Sequence, residues 1–482
     1  MDSTMFLRRT KIVATLGPAT DDADTLWEMC RAGLDVARVN FSHGTQEDHL
    51  RRIELLRTAS LRAGRYVGIL ADLSGPKIRI ESFRDGPVQL VEGAAFALDT
   101  ALDPKAGNID AVGVAYKALP QDVHHGDTLL LNDGLIVLEV TGVHGTRIDT
   151  RVVLGGELSN RKGVNRKGGG ISAPALTDKD RADIRFAAQH GLDYLALSFV
   201  RDAKDVNEAR KLLLEAEGHA RIIAKIERHE AIDNLNEIID ASDGVMVARG
   251  DLGVEMGYAA LTGLQKTIIH EARGRDRVVI TATQMMESMI TNPVPTRAEV
   301  SDVANAVMDG TDAVMLSAES ATGKYPVKAV AAMAEVIEGA ERYQLAHERT
   351  RHRVGGSFEL IEKAIATSVM YTSNLVKVKA IVALTESGST PMFMSRIRSD
   401  IPIYAFTRHE ITRRRVTLYR GVYPVSFDVS SKDSNTLYAS IFTLLLNVGL
   451  VEEGDLVILT KGELSGVSGG TNSLKILEVR RS

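Results

Sequence analysis

A single cysteine, Cys30, stands among 482 residues, so no intramolecular disulfide and no thiolate zinc cluster can form. Long apolar runs are also missing. The longest, at 441–451, is about 11 residues and contains Asn447, against the ~20 needed to span a bilayer. The opening stretch MDSTMFLRRTK lacks the apolar core of a signal peptide. Charge of neither sign dominates: 58 Lys+Arg against 63 Asp+Glu leave a formal net charge of −5, which excludes nucleic-acid binding through a bulk basic field. Neither a Walker A pattern nor G-x-G-x-x-G occurs, so any nucleotide is held some other way. A cytoplasmic protein with no membrane and no nucleic-acid partner is expected. What remains is an ordinary globular mixture, 44% apolar and 25% charged, long enough for two to four domains.

Short β-branched runs recur, each followed by a polar stretch of helical period. They are KIVATLG (11–17), LDVARVNF (34–41), YVGILADL (66–73), DYLALSFV (193–200), RIIAKIE (221–227), GVMVARG (244–250), RVVITAT (277–283) and DAVMLS (312–317). Such runs suit strands buried on both faces. Between them, Thr45 with Asp48 and Thr177 with Asp180 form capping boxes, and Gly64 and Gly191 stop the helices that follow. Eight strand–helix units imply a closed (β/α)₈ TIM barrel, ahead of an open doubly wound sheet.

The rhythm breaks once, after the third strand. Residues 75–172 alternate in strand fashion instead (VQLVEGAAFALD, DTLLLNDGLIVLEV, TRIDTRVVL), with Asn-Asp-Gly as a hairpin turn. We read an inserted small β-barrel lid domain there, leaving the barrel at the face where active sites lie. The barrel domain then comprises 1–74 and 173–345, its last helix running toward about Arg342. A polar linker, HERTRHRVGGS, leads to a C-terminal α/β domain at 346–482 with five strands: AIVALTE, IPIYAFT, VYPVSF, LVILTKG and SLKILEV.

Polar residues at barrel strand ends are catalytic candidates. Here they are Arg38, Asn40, Ser42, His43, Asp72, Lys225, Glu227, Arg249, Asp251, Thr283, Ser317 and Glu319. Lys225 and Glu227, two apart in a strand, face the same way. With Asp251 they suit a hard divalent cation carrying an anionic substrate, Mg²⁺ before zinc, or else an ion-pair network across the barrel mouth. Arg38 would clamp a phosphate or carboxylate, or pair with Asp72; Gly250 admits a close backbone approach, or is a plain turn. RKGVNRKGGG, at the end of the insert, reads either as a hinged arm bringing cations to phosphates or as a solvated linker.

ARVNFSHG (37–44), AKIERHE (224–230), MVARGDLGVE (246–255), TATQMMESM (281–289), PTRAEVSDVANAV (295–307) and MLSAESATGKYP (315–326) together resemble the pyruvate kinase family, in order and across nearly the whole chain. The resemblance implies Mg²⁺-dependent phosphoryl transfer from phosphoenolpyruvate to ADP, with Mn²⁺ an alternative metal. Lys225 then matches the lysine that stabilises the transferring phosphoryl group, and Glu227 and Asp251 match the Mg²⁺ ligands. Arg38 matches a phosphate contact, while Gly250, Asp251 and Thr283 match the carboxylate site. Asn40, His43, Arg79 and Lys162 match nucleotide contacts, and Ser317 and Glu319 a proton relay to the enolate. A homotetramer is implied as well.

Two departures from the family pattern carry expectations. Asp72-Leu73-Ser74-Gly75-Pro76-Lys77 puts lysine where potassium-requiring members have glutamate. In those members K⁺ sits at residues matching Asn40, Ser42, Asp72 and Leu73, so Lys77 is expected to replace it and K⁺ not to be required. In the last domain, Thr385, Ser387, Gly388, Ser389 and Thr390 match the effector loop, with Lys461 and the Ser465–Thr471 stretch as partners. Glu386 is expected to repel a bisphosphate and to leave activation to a sugar monophosphate or AMP. A nucleotide-free Mg²⁺-dependent lyase and a catalytically dead metabolite sensor are the competing readings.

Overall fold

The computed structural model describes residues 7–347, 358, 360–428, 434–463 and 469–481. Eight parallel strands close into a ring in sequence order: Lys11–Thr15, Val36–Asn40, Gly68–Asp72, Tyr194–Leu197, Arg221–Ile226, Gly244–Ala248, Val278–Ala282 and Ala313–Leu316. Nearly all their residues are buried, as expected of strands wrapped by helices on one face and packed on the other. The helix Gln46–Arg62 starts with a complete capping box from Thr45 and Asp48, and Asp178–Gln189 starts with one from Thr177 and Asp180. By compactness the chain divides into two units: Met1–Ala71, Leu192–Tyr194 and Ala272–Ser482 in one, Asp72–Gly191 and Leu195–Glu271 in the other.

The second unit carries the inserted sheet. Six strands pair in the order Val164–Arg166, Thr128–Leu131, Ile136–His144, Arg147–Leu154, Ala95–Asp99, Ala111–Gly113, and Val88–Leu90 pairs separately with Gly156–Leu158. The segment beginning at Ile78 bonds to both edges. Ile80 N–H donates to Lys162 O at 2.9 Å, Val164 N–H to Ile78 O at 2.9 Å and Glu81 N–H to Gly113 O at 2.7 Å. One extended segment thus joins the two free edges, which removes unpaired backbone from a small sheet. The Asn-Asp-Gly turn forms, with Asn132 and Asp133 both at positive φ. Ala111–Gly113, Gly156–Leu158 and Val164–Arg166 were not anticipated.

In the first unit, five strands order as Val422–Ser426, Ile403–Thr407, Val378–Leu384, Leu456–Gly462 and Thr471–Glu478, the last antiparallel. The helix expected to end near Arg342 continues to His347, and the rest of HERTRHRVGGS lies outside the described residues.

Candidate active site

Strand Arg221–Ile226 carries Lys225 on the same side as Glu227, as strand geometry requires. Lys225 Nζ lies 2.6 Å from Ser198 Oγ and 3.4 Å from both Asp72 Oδ1 and Glu227 Oε2. Glu227 is buried, and Phe199 N–H donates to its Oε1 at 2.7 Å. Its Oε2 is buried without a hydrogen bond. Burial, opposed by Lys225 and helped by Asp251, pushes the Glu227 carboxyl up to about 7. A buried carboxylate with an unsatisfied oxygen is a donor suited to a cation.

Asp251 sits with Gly250 in the first turn of helix Arg249–Met256, where backbone N–H groups point out along the helix axis. Lys77 Nζ pairs with Asp251 Oδ1 at 3.1 Å, so Asp251, rather than Asp72, is the charged partner of that lysine. Among the described residues no group of three or more His, Cys, Asp or Glu side chains is gathered as a metal cage. Two carboxylates with water and substrate completing the shell suit Mg²⁺, so Glu227 and Asp251 fit the expected metal.

The first unit holds the other strand-end residues. Arg38 is buried and donates from Nη1 to Thr15 Oγ1 at 3.0 Å. Asn40 ends its strand and accepts from Ser42 N–H at 3.1 Å, with Ser42 and His43 exposed on the turn. Thr283 and Gln284 both have positive φ, 69° and 51°, a strained pair following Val278–Ala282, and Thr283 Oγ1 donates to Ala282 O at 2.6 Å. Glu319 is buried and accepts from Ser317 N–H at 2.7 Å and Met286 N–H at 3.2 Å. Burial raises its carboxyl above the ordinary range against those N–H groups.

The basic segment RKGVNRKGGG is not a solvated linker. Arg166 grips Asp127 with two bonds of 2.9 and 3.0 Å, Arg161 pairs with Glu81 at 2.8 Å, and Gly170 N–H donates to Glu230 at 2.6 Å. A Cβ on Gly169, at φ +77°, would stand 2.8 Å from Glu230 Oε2, so the glycines let the chain lie on that carboxylate. Lys162 is half-buried, and Arg79 donates to Arg161 O at 3.0 Å.

In the loop 385–390, expected from the sequence to bind an effector, Gly388 at φ +86° lets its N–H reach Thr385 Oγ1 at 2.9 Å. Ser387 bonds Ser389, and Ser389 Oγ donates to Glu362 at 2.8 Å. Thr390 bonds Thr471 at 2.8 Å. Glu386 does not stand as a lone negative charge: His409 hydrogen-bonds it and Arg408 lies 3.5 Å away, which weakens the repulsion expected of it. Lys461 lies 5.9 Å from the Tyr438 ring, and 464–468 fall outside the described residues.

The sequence reading passed over Ser198 and Phe199. The polar Ser198 at a strand end was a usable signal; the positive φ of Phe199 was not.

Family models match in two parts, pyruvate kinase barrel domain over 7–330 and pyruvate kinase alpha/beta domain over 363–477. The chain is 53% identical to pyruvate kinase II of Salmonella typhimurium over 98% of its own length and 99% of that protein's. Against pyruvate kinase of Haemophilus influenzae the identity is 51%, covering 95% and 96% of the two chains. For the Geobacillus stearothermophilus enzyme it is 44%, covering 97% and 80%.

Proposed function

Because the chain belongs to the pyruvate kinase family, we propose that it transfers the phosphoryl group of phosphoenolpyruvate to ADP with Mg²⁺, giving pyruvate and ATP. Membership makes it a phosphotransferase; the residue roles are our reading. The observation that carries them is the Lys225 ammonium, fixed within 3.4 Å of Asp72 and Glu227.

Phosphoryl transfer asks for alignment and for positive charge around developing oxygen charges, with little covalent help. Lys225 and Arg38 supply that charge. Thr283 and the first-turn N–H groups of Gly250 and Asp251 orient the substrate carboxylate. Glu227 and Asp251 would hold Mg²⁺, which when bound would supply polarisation of the phosphoryl oxygens. Asn40, His43, Arg79 and Lys162 contact the nucleotide, and we assign water exclusion to the inserted sheet domain. Ser317 and Glu319 relay a proton to the enolate carbon; the raised Glu319 carboxyl supports this, since it holds a proton at higher pH than an ordinary one.

Lys77 supplies a built-in monovalent cation in place of K⁺ at Asn40, Ser42, Asp72 and Leu73. Its pairing with Asp251 puts that charge at a metal-ligating carboxylate. Thr385, Ser387, Gly388, Ser389, Thr390 and Lys461 take a sugar monophosphate or AMP as activator. We further infer a cytoplasmic homotetramer; no helix among the described residues is long and apolar enough to cross a membrane.

Pyruvate formation from phosphoenolpyruvate and ADP with Mg²⁺, at matched Na⁺ and K⁺, tests the reading. Comparable rates in both are expected, and a large K⁺ stimulation removes the Lys77 argument. Lys225→Met should abolish turnover; a fully active variant would overturn the assignment of Lys225.

A further inference from the structure

Ser198 follows strand Tyr194–Leu197 and is 4% exposed. Its hydroxyl donates to Leu73 O at 2.8 Å, which commits its only proton and leaves its lone pairs for Lys225 Nζ at 2.6 Å. The two carboxylates stand farther off, at 3.4 Å. So the closest group to the ammonium among these three is a neutral acceptor. A hydroxyl turned this way fixes the nitrogen without setting a third negative charge beside it.

The backbone is shaped to bring this about. Phe199 has φ +57°, a strained conformation for a bulky residue. It turns the Phe199 N–H onto Glu227 Oε1 at 2.7 Å. Gly75, at φ +61°, lies against this turn, and a Cβ there would meet Ser198 Cβ and Phe199 Cδ2 at 2.8 Å. The strained turn therefore holds the lysine through a hydroxyl and the carboxylate through an N–H, two separate contacts on groups that also pair with each other at 3.4 Å.

We propose that Ser198 is the positioning residue for Lys225, setting its ammonium in place before substrate arrives. This rests on the phosphotransferase reading of Lys225. Lysine has a long flexible stem, and fixing it beforehand removes that ordering from the barrier.

Ser198→Ala is close to isosteric and keeps the backbone. We expect kcat to fall about 10- to 100-fold with the KM for phosphoenolpyruvate within about threefold. Mn²⁺ binding to the substrate-free enzyme, read by calorimetry, should stay within about twofold, since the carboxylate keeps its N–H. A kcat within about twofold of the parent would overturn the proposal. So would a loss of Mn²⁺ affinity in step with kcat, which would place the effect at Glu227. Lys225→Met is the control: an inert methionine variant beside a normal alanine variant refutes the role of Ser198 alone, while an active methionine variant refutes the reading of the site itself.

Discussion

Lys11 opens the first barrel strand with its ammonium buried, donating to Val422 O at 2.7 Å and lying 4.4 Å from the Tyr423 ring. Desolvation is the largest influence on it and lowers its pKa to about 8, with Asp35 pulling the other way. The sign follows from proton counting. Between about pH 8 and 10.5 the unfolded chain keeps a proton on this lysine that the folded chain has lost. Stability contributed by this group therefore rises with pH across that window, by at most about 1.4 kcal/mol per pH unit. Lys11→Met should flatten the climb, measured as the difference in guanidinium unfolding midpoint between the two ends of the window. A climb equal to the parent's would mean that the buried nitrogen titrates near its ordinary value.

One residue type recurs where barrel strands begin. Asp35, Asp193, Asp243 and Asp312 each stand immediately before a strand, and each accepts a backbone N–H from the start of another: Ile12 at 2.8 Å, and Ile69, Ile222 and Val279 at 2.9 Å. At this rim an N–H would otherwise lack a ladder partner, and burying it unpaired is costly. Each carboxylate is also paired with arginine: Arg8 and Arg65, Arg414, Arg210 and Arg221, and Arg396 respectively. The value of each pair follows its burial. Asp193 has no exposed side-chain surface and Arg414 is 16% exposed, so Asp193→Ala leaves the Ile69 N–H buried without its acceptor and Arg414 with Glu410 as its remaining carboxylate partner, and should cost about 3–5 kcal/mol. Asp243 faces arginines that are 33% and 41% exposed, and Asp243→Ala should cost about 1–2 kcal/mol. Urea unfolding of the two variants separates them, and equal losses would refute the burial argument. This rim was legible, since LDV, LDY, SDG and TDA put aspartate before four of the eight runs, yet a reading tuned to apolar period passes over it. Strands and helix caps were legible because their signals are local, as in Thr45 with Asp48. The insert strands Ala111–Gly113, Gly156–Leu158 and Val164–Arg166, the φ of Phe199 and the partner of Lys77 depend on chain far away in sequence, and no local pattern announces them.

At the scale of the molecule, the unit holding the C-terminal sheet offers a physical path from the loop proposed to bind the effector to Ser317 and Glu319, the proposed proton relay. The loop runs into helix Ser389–Ser395, and Arg396 follows it directly. Arg396 is buried, grips both oxygens of Asp312 and donates to Arg277 O at 2.6 Å. Asp312 also accepts Val279 N–H at 2.9 Å and stands before strand Ala313–Leu316, which ends at Ser317 with Glu319 just beyond. A shift of the helix on effector binding would thus reach two barrel strands through one two-pronged contact. Coupling of this kind is a free energy shared by two sites, and weakening the contact should lower it without changing either site alone. Lysine keeps the charge at that position and loses the fork. Arg396→Lys should therefore keep its rate without effector within about threefold, bind a sugar monophosphate about as tightly as the parent, and lose most of the activation, since a coupling of 1–3 kcal/mol is a 5- to 150-fold effect. Kinetic activation and calorimetric affinity measured on the same preparation decide it. Full activation in the variant would show that the coupling bypasses Asp312, and weakened effector binding would show that Arg396 shapes the effector site itself.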